Sequence, residues 1–313
     1  MDQGNPEAAC RLIDKVTSDL RNAKPIWLFL TLIMYMISNI SRAVRWKMLA
    51  EAEHGSVRIS NTFLACMVGY FTNLAIPRLG EFVRAGTLSK YEKINAASEM
   101  GTVVTDRLLD VLTLGIIFGV GMLSSSGRIT DYLADNAVLP RFSWLTLIGL
   151  AAAGLAILGF IIFYFRNHPD HPLVVKVSDK IKEFLQGVLS FKKVKKRGWL
   201  IFHSINIWFM YYLMTYLPFF SFEATAGLGP AAALLVFIFG GLWMVLPAPG
   251  GIGTFHAMVI AGLSIYGISC PDAFSFAMII FLLFNLCVNI FMGFLSFILL
   301  PVVNKNYHPV RPL

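Results

Sequence analysis

Apolar runs long enough to cross a bilayer recur along almost the whole chain, and no other feature restricts its fold so strongly. A helix needs roughly 20 residues to cross a hydrocarbon core about 30 Å thick. Of 313 residues, 57% are hydrophobic and 14% charged, and the mean hydropathy of +0.68 lies well above that of a water-soluble domain. No stretch remains for a large aqueous domain. The expected fold is all-α: a polytopic integral membrane protein of about eight helical segments.

The net charge of +8 gathers in short segments between the apolar runs. That is the pattern of loops held on the cytoplasmic side, so the charge reads as topology and no nucleic-acid partner is expected. Cys10, Cys66, Cys270 and Cys287 have no Cys-x-x-Cys spacing and give no metal or disulfide framework. Residues 1–24 are polar, carry Asp2, Glu7, Asp14 and Asp19, and lack the apolar core of a signal peptide. They are expected to form a cytoplasmic N-terminal segment. One transmembrane domain is expected over 25–303, with halves at 25–165 and 199–303, a basic linker at 166–198 and a tail at 304–313.

The first run starts at Pro25 and continues as one helix through Arg42, Arg45 and Lys47. The second, Asn61 to Ile76, is short for a span and stops at Pro77-Arg78-Leu79-Gly80-Glu81, where proline ends or kinks a helix. A polar stretch to Glu99 leads into a third helix, Gly101 to Leu123, whose first turns carry Asp106, Arg107 and Asp110; a turn at Ser124 to Gly127 follows. A fourth run, Phe142 to Phe165, precedes the segment from Lys176 to Arg197, the strongest cytoplasmic marker in the chain. Alternating spans counted outward from that marker put the N-terminus inside. They leave Arg42, Arg45, Lys47 and Arg58 toward the outer side, a conflict removed by snorkelling or by a second segment that dips in and returns.

The second half repeats the rhythm: Trp199 to Phe220, Pro230 to Leu246, a break at Pro247 to Gly253, a short run to Ile268 and a long one from Ala273 to Val303. Pro77-Arg78-Leu79-Gly80-Glu81-Phe82 can be laid on Pro249-Gly250-Gly251-Ile252-Gly253-Thr254-Phe255 with one inserted glycine, a faint internal repeat. Halves that each carry an interrupted hydrophobic segment are how repeat-built transporters are organised, with the substrate site at the breaks.

A charge at a helix centre costs about 2.5–3.5 kcal/mol on insertion scales, so such residues seldom persist without a partner or a role. Three clusters meet that test. Around Pro77 lie Asn73, Arg78, Glu81 and Arg84, with Gly80 at the break; the arginines suit a phosphate, or they mark the interface only. On the third helix, Asp106, Arg107 and Asp110 pair with Arg78 or Arg84 in a buried network or bind a driving proton or cation; the alternative is a structural salt bridge to the Pro77 break. At the second break, Pro249, Gly250, Gly251 and Gly253 allow close backbone approach, and a half-helix starting near Thr254 aims its N–H groups at an anion; the alternative is a plain turn. His256 beside it reads either as a satisfied polar residue or as a proton carrier.

The residues for covalent chemistry are missing. The sequence has no His/Cys/Asp cluster at metal spacing, no Gly-x-Ser-x-Gly elbow and no Gly-x-x-x-x-Gly-Lys phosphate loop, so neither an enzyme nor a cofactor is expected.

Three motifs in order resemble a known family: Asn73-x3-Pro77-Arg78-Leu79-Gly80-Glu81-x2-Arg84, then Asp106-Arg107-x2-Asp110, then Pro247-x-Pro249-Gly250-Gly251-Ile252-Gly253. They are similar to the transmembrane region of lysylphosphatidylglycerol synthases, the flippase-like domain of the multiple peptide resistance factor. The resemblance extends from about Trp27 to Val303. It implies a domain of the inner membrane that moves a lipid between leaflets, in that family aminoacylated phosphatidylglycerol, through a groove lined by the clustered residues. It does not imply aminoacyl transfer, since the family's synthase activity belongs to a soluble C-terminal domain and this chain stops at Leu313. Asp106-Arg107 stands where the family usually has Glu-Arg, and His256 where an acidic residue is common, which leaves the substrate open to another phospholipid, an isoprenoid-linked sugar or a different amphiphile. The expected partners are membrane lipids, with a homo-oligomer or a lipid or glycan synthesis complex as further options. An ion-coupled transporter of a soluble solute and a noncatalytic membrane scaffold are the rival functions. Under the lipid reading, charge replacement at Arg84 or Asp110 stops flipping and leaves folded protein.

Overall fold

The computed structural model describes residues 6–124, 172–242 and 251–309. The expected run Phe142 to Phe165, the turn beyond Ser124, and Pro247, Pro249 and Gly250 lie outside the described residues. Among the described residues all regular structure is helical. In order these are α1 (Pro6–Asn22), α2 (Pro25–His54), α3 (Ile59–Ala75), α4 (Leu79–Glu92), α5 (Ala96–Ser124), α6 (Pro172–Val188), α7 (Ser190–Lys193), α8 (Arg197–Tyr216), α9 (Pro230–Leu242), α10 (Thr254–Ser264), α11 (Cys270–Ile280) and α12 (Asn289–Val303). A π-helical segment, Phe281–Val288, joins α11 to α12 in one 34-residue run, Cys270–Val303. That run and α2 are each long and apolar enough to cross a membrane.

Helix α2 opens on Pro25, whose missing N–H costs nothing in a first turn, and closes on Gly55 at φ 84°. It runs antiparallel to α8, from the Lys24 N–H donating to Ser221 O (3.1 Å) to Asn206 Nδ2 donating to Ser41 Oγ (2.7 Å). Its far end meets the start of α5, with His54 beside Glu99 at 3.2 Å. The basic segment docks at the same end: Lys193 pairs with Glu53 at 2.6 Å, and Gly187 lies so close to Gly101 that a Cβ there would sit 2.9 Å from the Gly101 Cα. The end of α12 arrives there too. Asn304 and Asn61 exchange amide hydrogen bonds at 2.7 and 2.9 Å, Tyr307 Oη donates to Glu92 at 2.7 Å, and the Arg58 guanidinium lies 3.7 Å above the Tyr307 ring. The molecule thus has a basic end and an opposite end, where α1 is tied to α11 by Lys15 and Asp272 at 2.8 Å. That partner raises the Lys15 pKa.

Two helical hairpins enter from the two ends. Helices α3 and α4, with 17 and 14 residues, measure about 25 and 21 Å and do not reach the roughly 30 Å of a full crossing. They leave the basic end, reverse at Pro77 and Arg78, and return to it. Close contact needs glycine on both sides: a Cβ at Gly80 would lie 2.1 Å from Gly69 O, and one at Gly69 would lie 2.9 Å from Gly80 O. Helices α9 and α10 form a second hairpin from the opposite end, Gly262 packing on Val236 and Gly240 on Val259. The order α2, hairpin, α5 therefore recurs upside down as α8, hairpin, α11–α12, the inverted arrangement of repeat-built transporters.

One expectation is corrected. The polar stretch after Pro77 is a regular helix, α4, because Gly80, Arg84, Leu88 and Glu92 fall four apart on one buried face. Two of those four are charged, and that hid the helix from a reading based on apolar periodicity.

Candidate functional site

The charged residues meet where α2, α4 and α5 cross. On α5, Asp106 and Asp110 are one turn apart; on antiparallel α2, Arg42 and Arg45 are three residues apart, so the two pairs interleave. Arg45 donates from Nε to Asp106 (2.8 Å) and from Nη2 to Asp110 (2.7 Å), and Arg42 Nη1 donates to Asp110 (2.6 Å). Arg84 comes from α4, donating from Nη2 to Asp106 at 2.8 Å, with its guanidinium 4.5 Å from the centre of the Trp46 ring. Arg45 and Asp106 have no exposed surface at all. Measured along the helices, the network lies about 14–21 Å in from the basic end.

At its margin Arg107 Nη2 donates to Glu81 at 2.5 Å, and its Nη1 lies 3.4 Å from Asp110. Four arginines (Arg42, Arg45, Arg84, Arg107) face three carboxylates (Glu81, Asp106, Asp110), which leaves one positive charge in surplus. Donors are in surplus as well. Nε and Nη1 of Arg84, Nε of Arg42 and the Tyr70 hydroxyl are buried without a hydrogen-bond partner among the described residues. Buried donors of this kind are expensive to leave unmatched, and an anion is the group that matches them.

The expected residues divide. Glu81, Arg84, Asp106, Arg107 and Asp110 come together. Asn73 and Gly80 build the frame: Asn73 Oδ1 accepts from the Gly80 N–H at 2.8 Å, holding the reversal shut. Arg78 does not join; it takes the left-handed conformation (φ 65°) at the tip and is exposed. Gly251 and Gly253, at φ 79° and 84°, lead into α10, which starts at Thr254 as expected. No hydrogen bond or ion pair among the described residues ties them to the network. His256 packs among aromatic rings, 4.8 Å from Phe281 and 5.8 Å from Phe255, instead of facing the charges.

Arg42, Arg45 and Trp46 are central and were not among the expected site residues; the two arginines read from sequence as snorkelling at the interface. The signal was present: two arginines one turn apart in an apolar run require acids at matching spacing, and Asp106 and Asp110 supply them.

Beside the network opens an apolar groove of about 770 Å³ between α5, α8 and α9, lined by Leu112, Ile116, Ile205, Trp208, Phe209 and Leu234 among others. Ser204 belongs to both, since it lines the groove and its Oγ accepts from Arg45 Nη1 at 3.3 Å. Comparison with known proteins places these features in a family. A family model described as lysylphosphatidylglycerol synthase TM region matches residues 11–293. A UPF0104 membrane protein of Methanocaldococcus jannaschii is 25% identical over 288 residues, which cover 82% of this chain and 80% of that one.

Proposed function

The chain belongs to the lysylphosphatidylglycerol synthase TM region family of membrane domains, and from that premise we propose that it is a lipid translocase, moving an amphiphile with an anionic headgroup between leaflets without covalent chemistry. The observation that carries this reading is the adjacency of the surplus-positive network to the apolar groove, shared at Ser204. A headgroup phosphate finds guanidinium donors in Arg84 and Arg42, while an acyl chain stays in an apolar surface open to lipid. Paired charges lower the cost of carrying a phosphate through hydrocarbon.

The test is scrambling by purified protein in liposomes that carry a headgroup-labelled anionic lipid, with the outer-leaflet label quenched chemically. Wild-type protein is expected to expose the inner-leaflet label to the quencher. Folded protein that moves none of a panel of anionic, zwitterionic and aminoacylated lipids gives the reading up in favour of a soluble solute or a scaffolding role.

The membrane is the inner membrane in this reading, with the basic end in the cytoplasm, where Lys180, Lys182 and Lys192 to Arg197 belong. Arg42, Arg45, Lys47 and Arg58 then lie toward the cytoplasmic side, and the earlier conflict disappears. Helix α2 starts at the other end, so the N-terminus lies outside, reversing the orientation reached by counting spans. The count treated α3 as a crossing, whereas a hairpin returns to its own side. Cys270, exposed at the start of α11, is accordingly expected to react with a membrane-impermeant maleimide on intact cells when Cys10 is replaced by Ser. A cysteine placed at Lys195 is expected to stay unlabelled, and the reverse pattern overturns the orientation.

A further inference from the structure

Glu99 stands apart from the other carboxylates of α5. Glu99, Asp106 and Asp110 are spaced by seven and four residues and share one face, forming a line from the basic end toward the middle of the molecule. Asp106 has guanidinium partners on two helices; Glu99 has none in contact and is fully buried. Its basic neighbour is His54. His54 Nε2 and Glu99 Oε2 lie 3.2 Å apart but out of line for a hydrogen bond, and neither atom has another partner among the described residues. The His54 side chain keeps 11% of its surface exposed at the basic end, and Glu99 lies directly behind it.

From Glu99 a chain of contacts leads to the network. Thr102 Oγ1 lies 2.8 Å from Glu99 Oε1 and accepts from Trp46 Nε1 at 3.0 Å, and the Trp46 ring carries Arg84 on its face at 4.5 Å. The other charged or titratable groups around the pair are few. Arg84 of α4 lies across the indole, Cys66 of α3 packs in the same cluster as Trp46, and Lys193 of α7 is bound to Glu53 beside His54. Helix α6 meets this turn of α5 through the backbone of Gly187.

We propose that His54 and Glu99 form a proton-binding site that couples proton movement to the charge network. One proton from the aqueous side of the basic end bonds to Glu99 Oε2, and a small rotation turns the new O–H toward the unprotonated Nε2 of a neutral His54, satisfying both atoms. Neutral Glu99 is a weaker acceptor for the Thr102 hydroxyl, which then turns wholly to the Glu99 backbone carbonyl, also 2.8 Å away, and that reorientation is passed through the bond from Trp46 Nε1 to the indole that carries Arg84. The step adds an ion requirement to the translocase reading, and only its transport arm rests on that reading.

Two measurements test it. Infrared difference spectra of purified protein across a pH titration are expected to show the carbonyl stretch of a protonated carboxyl group that vanishes in Glu99→Gln and titrates at a shifted pH in His54→Gln; a band unchanged in both variants overturns the site. In liposomes, an imposed pH gradient is expected to bias wild-type lipid movement by up to about tenfold per pH unit, the limit for one linked proton. Glu99→Gln is expected to move lipid at a rate indifferent to the gradient, and a wild-type rate equally indifferent overturns the coupling. If wild-type protein moves no lipid at all, the infrared result still decides the proton site, and the translocase reading falls separately.

Discussion

Asp106→Asn is expected to destabilise the folded protein by about 3–5 kcal/mol, the cost of removing one partner from a buried ion pair. Asp106 accepts from Arg45 and Arg84 at 2.8 Å each and lies 3.6 Å from Arg42. An amide in its place leaves three buried guanidinium groups, of which Arg42 and Arg45 keep Asp110 and Arg84 loses its carboxylate. The readout is thermal unfolding of detergent-solubilised protein, with early aggregation as the companion sign. The paired change Arg45→Met with Asp106→Leu is expected to recover part of the stability, because Arg42 keeps Asp110 while Arg84 still lacks its carboxylate, and to move no lipid. A stable, active Asp106→Asn protein would mean that the network is not the organising core described above.

Arg84→Gln is expected to do the opposite: fold nearly as wild type, yet lose transport. Arg84 gives Asp106 one hydrogen bond and has two nitrogens without a hydrogen-bond partner among the described residues. Without it Asp106 keeps Arg45, and the network falls from one surplus positive charge to none. A hydrogen bond to a charged group is worth about 1.5–3 kcal/mol, so the scrambling rate is expected to drop roughly 10- to 100-fold. Arg84→Lys retains the charge without the planar fork and is expected to fall between. Transport at the wild-type rate in folded Arg84→Gln would remove the anion from the mechanism. Asp110, which looks equivalent in sequence, is a poorer probe, since it binds Arg42 and Arg45 together and its loss acts on folding first.

Much of this architecture is legible in the chain. The long helix from Pro25 through Lys47, the reversal at Pro77, the acids of α5 and the start of α10 at Thr254 follow from apolar run length, proline and glycine. What stayed hidden has one cause: partners chosen across helices leave no local mark. Arg42 and Arg45 look like snorkelling residues until α5 is laid antiparallel to α2. Helix α4 looks like a loop because its buried face carries Arg84 and Glu92. Arg78 looked the equal of Arg84, but six residues along a helix that starts at the tip decide which one turns inward. The faint likeness between the two breaks becomes intelligible only when two hairpins are seen entering from opposite ends.

The two hairpins are not held alike. The base of α3–α4 is riveted to the end of α12 through Asn61 and Asn304, Glu92 and Tyr307, and the ring under Arg58. Farther in, a Cβ on Gly293 would sit 2.3 Å from the Phe71 Cβ, so α12 and α3 touch without slack. At Gly253, where α10 of the other hairpin begins, an added Cβ meets none of the described residues within 4 Å. If the two halves exchange shapes, the charged hairpin is the anvil, tied to α12 from its base inward, against which any movement of the second half is worked.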